Sequence, residues 1–193
     1  MKILITGTAG FIGFSLANEL LENTKLKIYG IDNIDDYYSV KLKKKRIKIL
    51  SRKKNFFFKK IDLNSKNLSK YLNKKNIDYI FHFAAQAGVR YSLVNPEKYI
   101  DSNILGYSNL LENLDTSRLK KVIYASSSSV YGDTKKLPTK ENENLTPKNI
   151  YGYTKIINEQ MASYYSKKFN IPFVGLRFFT VYGPYGRPDM AYF

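Results

Sequence analysis

The chain has 193 residues, 44% of them hydrophobic and 25% charged, a balance that suits one folded domain and argues against a disordered or fibrous chain. It has no cysteine, hence no disulfide framework or thiolate metal site, and its single histidine, His82, excludes a His-rich metal cluster. No apolar run approaches the ~20 residues of a membrane helix, and the apolar start of the chain is too short for a signal peptide. These features predict a cytoplasmic protein with no membrane partner. The formal net charge is +16, and residues 41–75 hold fifteen Lys and Arg residues against one acid, Asp62. Such a stretch can mark a nucleic-acid surface. With 26 Lys to 6 Arg and abundant Asn, Ile, Tyr and Phe throughout, it reads instead as compositional bias and a solvated basic face. That face could steer an anionic ligand, and no nucleic-acid partner is expected.

In chain order, short apolar strands alternate with amphipathic helices. Residues 2–6 form a β-branched run ending in a glycine-rich turn, the pattern of a buried parallel strand. A helix over 11–22 follows, then a strand at 26–31, a basic helix at 38–54 and a strand at 56–61. The pattern continues with a helix at 68–73, a strand at 79–83, a helix at 99–114 and a strand at 121–125. It closes with a helix at 151–169 and a strand at 173–178. Strands separated by helices imply right-handed crossovers, so the expected fold is α/β, a Rossmann-like doubly wound parallel sheet with helices on both faces. His82 and Phe56, Phe57 and Phe58 fall in strands and read as packed core.

Three segments carry chemistry. Thr6 to Gly13 reads TGTAGFIG between the first strand and its helix. Gly7 permits the tight turn, Gly10 lets the backbone approach a pyrophosphate, and Gly13 allows close helix–strand packing. The helix start at Phe11 and Ile12 offers N–H groups and a positive dipole end. Asp32, 19 positions after Gly13, ends the second strand, where a carboxylate binds both ribose hydroxyls and repels the 2′-phosphate of NADP. NAD is therefore the expected cofactor. Tyr151 and Lys155 are four apart on one helix face, and an ammonium beside a phenol favours phenolate, a usable base. Alone, that spacing is expected by chance among 17 Tyr and 26 Lys. The serine run 126–129 follows the fifth strand at the edge where open α/β sheets bind ligands. Any one of these is weak; their order and spacing together are specific.

With these segments in place, the sequence resembles the extended short-chain dehydrogenase/reductase family, closest to its UDP-glucuronate 4-epimerases. The resemblance runs over TGTAGFIG (6–13), GIDNIDDYY (30–38), AAQAGVRYSLVNP (84–96), SSSSVYG (126–132), YGYTK (151–155) and LRFFTVYGPYGRPDM (176–190). It implies catalysis by Ser127, Tyr151 and Lys155. It implies NAD held by Gly7, Gly10, Phe11, Ile12, Gly13, Asp32 and Asn33, with Asp62 and Leu63 near the adenine. Ala84 and Ala85 would lie beside the nicotinamide half, with Asn103, Tyr151 and Lys155 completing the cofactor set. A UDP-sugar would meet Arg90, Ser126, Ser127, Ser128, Thr180 and Arg187. No metal is implied.

The implied reaction is oxidation at the sugar C4, rotation of the 4-keto intermediate and re-reduction, turning UDP-glucuronate into UDP-galacturonate for cell-surface polysaccharides. Relatives that eliminate water or carbon dioxide carry an acid just after the catalytic hydroxyl; this chain has Ser128 and Ser129. The family continues past residue 190 with a substrate domain, so 1–193 is expected to be the NAD-binding domain, with 180–193 opening the substrate region. Two other readings stay open: an NAD-binding module without activity of its own, and a related decarboxylase or dehydratase. Apolar residues on the helices 99–114 and 151–169 exceed one core-facing stripe, which predicts a homodimer through this helix pair. Further apolar surface is expected around 178–185 and 190–193.

Overall fold

The computed structural model describes residues 1–73, 75–134 and 137–190. Its first strand, Lys2–Thr6 (β1), buries Ile3, Leu4 and Ile5 in succession. A strand apolar on both sides must lie inside a sheet covered on both faces. The helix Phe11–Asn23 (α1) follows, then Lys27–Asp32 (β2), Val40–Leu50 (α2), Phe56–Lys60 (β3), Leu68–Leu72 (α3) and Tyr79–His82 (β4). Two short helices, Val89–Ser92 (α4) and Pro96–Tyr99 (α5), lead through a π-helical segment, Ile100–Leu105, into Gly106–Glu112 (α6). Lys121–Ser127 (β5), a 3₁₀ turn at Ser128–Val130, Ile150–Phe169 (α7) and Phe173–Phe178 (β6) complete the order.

All six strands are parallel, in the order β3-β2-β1-β4-β5-β6. Ile3, Ile5, Phe14, Ala17, Ile28 and Leu50 form the core under α1 and α2. Leu4, Ile31, Leu68, Ile80, Tyr107, Leu110, Val122 and Tyr165 form the other under α3, α6 and α7. The doubly wound expectation holds. Strand order reverses between β1 and β4, so the loops leaving their C-terminal ends diverge and open a crevice there.

Four expectations change. β5 runs to Ser127, because Ser126 and Ser127 pair with Arg177 and Phe178 of β6; the first two serines of the run are sheet residues. The helix expected over 99–114 begins at Pro96, and six of its residues adopt the wider π register. The basic helix is shorter, capped where Leu42 N–H donates to Ser39 Oγ. Its face is not wholly solvated either: Lys41, Lys44, Lys45 and Lys48 are exposed, while Lys43 and Arg46 are buried. Spaced three apart, these two point inward with Leu50, and carbonyl oxygens receive them there. In β3, Phe56 is buried, and Phe57 alternates outward to stack on Tyr29.

Candidate functional site

The crevice is a cleft of about 380 Å³. Its floor is the glycine turn. Gly7 sits at φ 71, and a Cβ there would lie 2.6 Å from Ala84 N and Phe83 C, so turn and β4 end touch backbone to backbone. A Cβ on Gly13 would come 2.3 Å from Gly7 O, which presses the first turn of α1 onto the same loop. No side chain caps α1. Phe11 and Ile12 line the cleft, and as the first residues of the helix their amides have no carbonyl partner within it, the kind of helix start that receives a pyrophosphate. Gly13→Ala should therefore destabilise the fold by about 2–3 kcal/mol and weaken NAD binding at least about tenfold. A urea midpoint and an NAD titration check both, and unchanged NAD affinity would remove Gly13 from this role.

Asp32 closes the turn: its Oδ2 accepts from Ala9 N at 2.9 Å and its Oδ1 from Ile34 N at 2.7 Å. Burial pushes this carboxyl up, and the two amides and the Lys43 charge hold it down. Each oxygen keeps a lone pair for a ribose hydroxyl. Asn33 donates to Asp62 Oδ2 at 2.8 Å, making a polar rim beside Leu63. Ala84 and Ala85 line the opposite wall.

The chemistry sits where β5 meets α7. Asn149 caps α7, its Oδ1 accepting from Gly152 N at 2.9 Å, which sets Tyr151 in the first turn over the end of β5. Burial pushes the Tyr151 phenol up; a hydrogen bond from Ser127 and the charge of Arg187 pull it down. Lys155, 2% exposed, donates to Ala125 O at 2.9 Å, with its Nζ 5.9 Å from the Tyr151 ring centroid. Ser127 and Arg187 oppose burial at the phenol, while the Lys155 ammonium is turned to the Ala125 carbonyl. Burial alone lowers Lys155 to about 8.

That burial has a measurable sign. The Lys155 ammonium is disfavoured in the fold by about 3 kcal/mol at pH 7, partly offset by its bond to the Ala125 carbonyl. Lys155→Met should raise stability by about 1–2 kcal/mol, roughly 2–8 °C in Tm. The gain is complete below pH 8 and shrinks toward pH 10.5, as the native lysine neutralises before the unfolded one. Chemical denaturation at pH 7 and pH 10 tests this; an equal or larger gain at pH 10 contradicts it.

Ser126, Ser128, Thr180 and Arg187 also line the cleft. Ser126 Oγ already donates to Glu159 Oε1 at 2.6 Å. Arg187 holds Asp189 through Nε at 3.0 Å and Nη2 at 2.8 Å, and Tyr37 Oη donates to the same carboxylate at 3.0 Å. Two expected residues lie elsewhere. Arg90 is an exposed residue of α4 outside the cleft lining. Asn103 is buried behind the site: it accepts from Gln86 N at 2.7 Å and donates to Gln86 O at 3.1 Å and Thr154 Oγ1 at 3.0 Å. With both amide hydrogens committed, Asn103 ties the β4 loop to α7 and does not line the cleft. His82 is packed as expected, stacked on Tyr107 at 4.6 Å and bonded through Nδ1 to Thr6 Oγ1 at 2.8 Å.

Sequence reasoning passed over Arg46, Gln86, Glu159 and Arg177. Glu159 accepts from Arg177 Nε at 2.9 Å and Nη2 at 2.8 Å, and Arg177 Nη1 reaches Tyr131 Oη at 2.9 Å, pinning α7 to β6 beside Ser126 and Ser127. A signal for Glu159 existed, since 151, 155 and 159 continue one helix face at spacing four. Among the described residues no group of His, Cys, Asp and Glu could hold a metal, and no helix is long and apolar enough to cross a membrane.

The sequence matches the NAD dependent epimerase/dehydratase family over residues 3–192. Protein CapI of Staphylococcus aureus is 52% identical over 195 residues, covering 100% of this chain and 58% of that protein. The crystal structure of UDP-glucuronic acid 4-epimerase from Bacillus cereus, in complex with UDP-glucuronic acid and NAD, has a TM-score of 0.93 at 41% identity, covering 100% of this chain and 60% of that one. The UDP-N-acetylglucosamine 4-epimerase from Methanobrevibacter ruminantium, in complex with UDP-N-acetylmuramic acid, has a TM-score of 0.86 at 31% identity, covering 99% and 58%. The chain thus spans about 60% of the length of the relatives it matches. A match this long, over a parallel sheet whose crevice holds the glycine turn, Asp32 and the Ser127–Tyr151–Lys155 group, places the chain in the NAD-dependent epimerase/dehydratase family.

Proposed function

We propose that this chain binds NAD and supplies the proton-transfer residues of a nucleotide-sugar 4-epimerase that interconverts UDP-glucuronate and UDP-galacturonate. The reading rests on one arrangement: Ser127, Tyr151 and Arg187 share a single cleft with the glycine turn and Asp32. Backbone amides at Phe11 and Ile12 would take the pyrophosphate, and Asp32 the ribose. When bound, NAD supplies a hydride acceptor that becomes the donor of the return step. Tyr151 Oη takes the proton from the sugar 4-oxygen and later returns it. Ser127 Oγ holds that oxygen by a hydrogen bond, and Lys155 fixes the end of β5 through Ala125 O. Arg187, at the cleft, meets a carboxylate on the sugar with a charge-assisted bond. Ser128 and Ser129 stand where an acid would promote loss of carbon dioxide from the β-keto acid. Residues 180–190 would begin the substrate region; 191–193 lie outside the described residues. Exposed Ile100, Leu105, Tyr153 and Tyr164 support a homodimer through α5–α6 and α7.

The test is incubation of the protein with NAD and UDP-glucuronate, resolving products by chromatography. UDP-galacturonate is expected. A UDP-pentose would point to a decarboxylase, and NAD binding without turnover to a cofactor-binding module. Conversion of UDP-N-acetylglucosamine in preference to UDP-glucuronate would move Arg187 out of substrate recognition.

A further inference from the structure

Arg46 lies on α2 with a relative exposure of 0%. A buried cation ordinarily sits against an opposite charge. Among the described residues no carboxylate comes within ion-pair distance of Arg46, and its Nε has no partner. Its fork is spent on oxygens of separate segments instead. Nη1 donates to Ala9 O at 2.8 Å and Tyr38 Oη at 2.6 Å; Nη2 donates to Tyr185 O at 2.6 Å and Gly186 O at 3.2 Å. Ala9 stands inside the glycine turn, its N–H held by Asp32. Tyr185 sits at φ 61, a left-handed conformation that a tyrosine keeps only when its surroundings hold it. Its ring packs edge-on against Phe14 of α1 at 5.2 Å. Gly186 precedes Arg187.

We propose that Arg46 is a positioning residue that couples the two walls of the cleft, so that NAD bound on the glycine turn orders the 183–190 loop and with it Arg187. The inference rests on the reading of this cleft as a dinucleotide and sugar-nucleotide site. A pyrophosphate at the start of α1 supplies the negative charge that the buried guanidinium otherwise lacks, and it fixes the turn that carries the Ala9 carbonyl. The planar fork passes that constraint to Tyr185 and Gly186. A lysine cannot, because one ammonium on a flexible stem does not span both walls in a fixed geometry. Coupling of this kind is reciprocal, so a ligand that settles the 183–190 loop tightens NAD binding by the same factor.

Hydrogen exchange on the 193-residue chain, with and without saturating NAD, tests the coupling in wild type, Arg46→Met and Arg46→Lys. In wild type, NAD should slow exchange at residues 7–13 and also slow it by about fivefold or more at 181–190. In Arg46→Met, protection at 7–13 should remain and protection at 181–190 should be lost. Arg46→Lys keeps the buried charge, should give the same result, and decides the matter if Arg46→Met does not fold. Undiminished protection at 181–190 in the folded variant overturns the coupling. Wild-type protection confined to 7–13 also overturns it and leaves the dinucleotide reading standing. Absence of wild-type protection at 7–13 is the separate failure of that reading, and the coupling falls with it.

Discussion

Replacing Tyr151 by Phe is expected to lower turnover of UDP-glucuronate about 10³-fold, with NAD affinity held within about threefold. The substitution deletes one hydroxyl and little else. The ring remains half-buried, and its edge contact with Tyr99 at 6.0 Å needs no oxygen. Ser127 keeps Ser129 as a hydrogen-bond partner at 3.2 Å. What disappears is the group that, on the proposed function, would accept the proton from the sugar 4-oxygen. Because burial raises this phenol, the wild-type rate should climb with pH as phenolate forms. Arg187→Met removes a charge that favours phenolate and should move that limb to higher pH. Single-turnover rates across pH, paired with NAD titrations, carry both statements. A loss below tenfold in Tyr151→Phe, or a pH limb that persists in it, would assign the proton to another group.

Acid should unfold the wild-type chain earlier than a His82→Gln variant. His82 is fully enclosed, and its burial, with the Lys155 charge second, lowers its pKa from 6.5 to about 3. The unfolded chain takes up a proton near pH 6.5, whereas the native ring refuses it down to about 3. The unfolded state therefore binds more protons across that window, and stability drains away as pH falls through it. The loss is about 1.4 kcal/mol per pH unit and approaches 5 kcal/mol at the acid end. Glutamine retains a polar partner for Thr6 Oγ1 and does not titrate. Plots of unfolding free energy against pH should run parallel above 7 and separate by about 3 kcal/mol near pH 4.5. Parallel curves down to pH 4 would show that the ring charges inside the fold.

The parts of this molecule that were legible in its sequence are those fixed by short-range pattern. β1, the glycine turn and Asp32 announce themselves within about thirty residues, through apolar runs and the conformational demands of Gly7 and Gly13. Tyr151 and Lys155 share a helix face by spacing alone. The illegible parts depend on distant partners. Nothing about Arg46, in a run of lysines, distinguishes it from its solvated neighbours, because the carbonyl oxygens that receive it lie 37, 139 and 140 positions away. Ser126 and Ser127 broke the apolar pattern and read as loop, yet their backbones pair with Arg177 and Phe178. Tyr151 and Lys155 share the helix face that their spacing gives, with the ammonium on the Ala125 carbonyl. A pair at spacing four says that two side chains share a face, not that their charged ends meet.

The π-helical segment has a consequence for what the gene can lose. A turn closed by bonds five residues apart holds one residue more than an α-turn. Ile100–Leu105 thus carries a surplus residue inside a continuous helix. Deleting one residue there would let the helix close into ordinary α form, and the parts before and after it would keep nearly their present relative orientation, because the wider turn already absorbs the extra residue. Tyr99 and Tyr107, both wholly enclosed now, could still face inward together. The cost would fall on Asn103, which the wider turn holds against Gln86 and Thr154, with its carbonyl on the amide of Asn158. Ile100 and Leu105 present their side chains outward and look replaceable one at a time. The helix can spare the length of this turn; what it would give up is the place of Asn103.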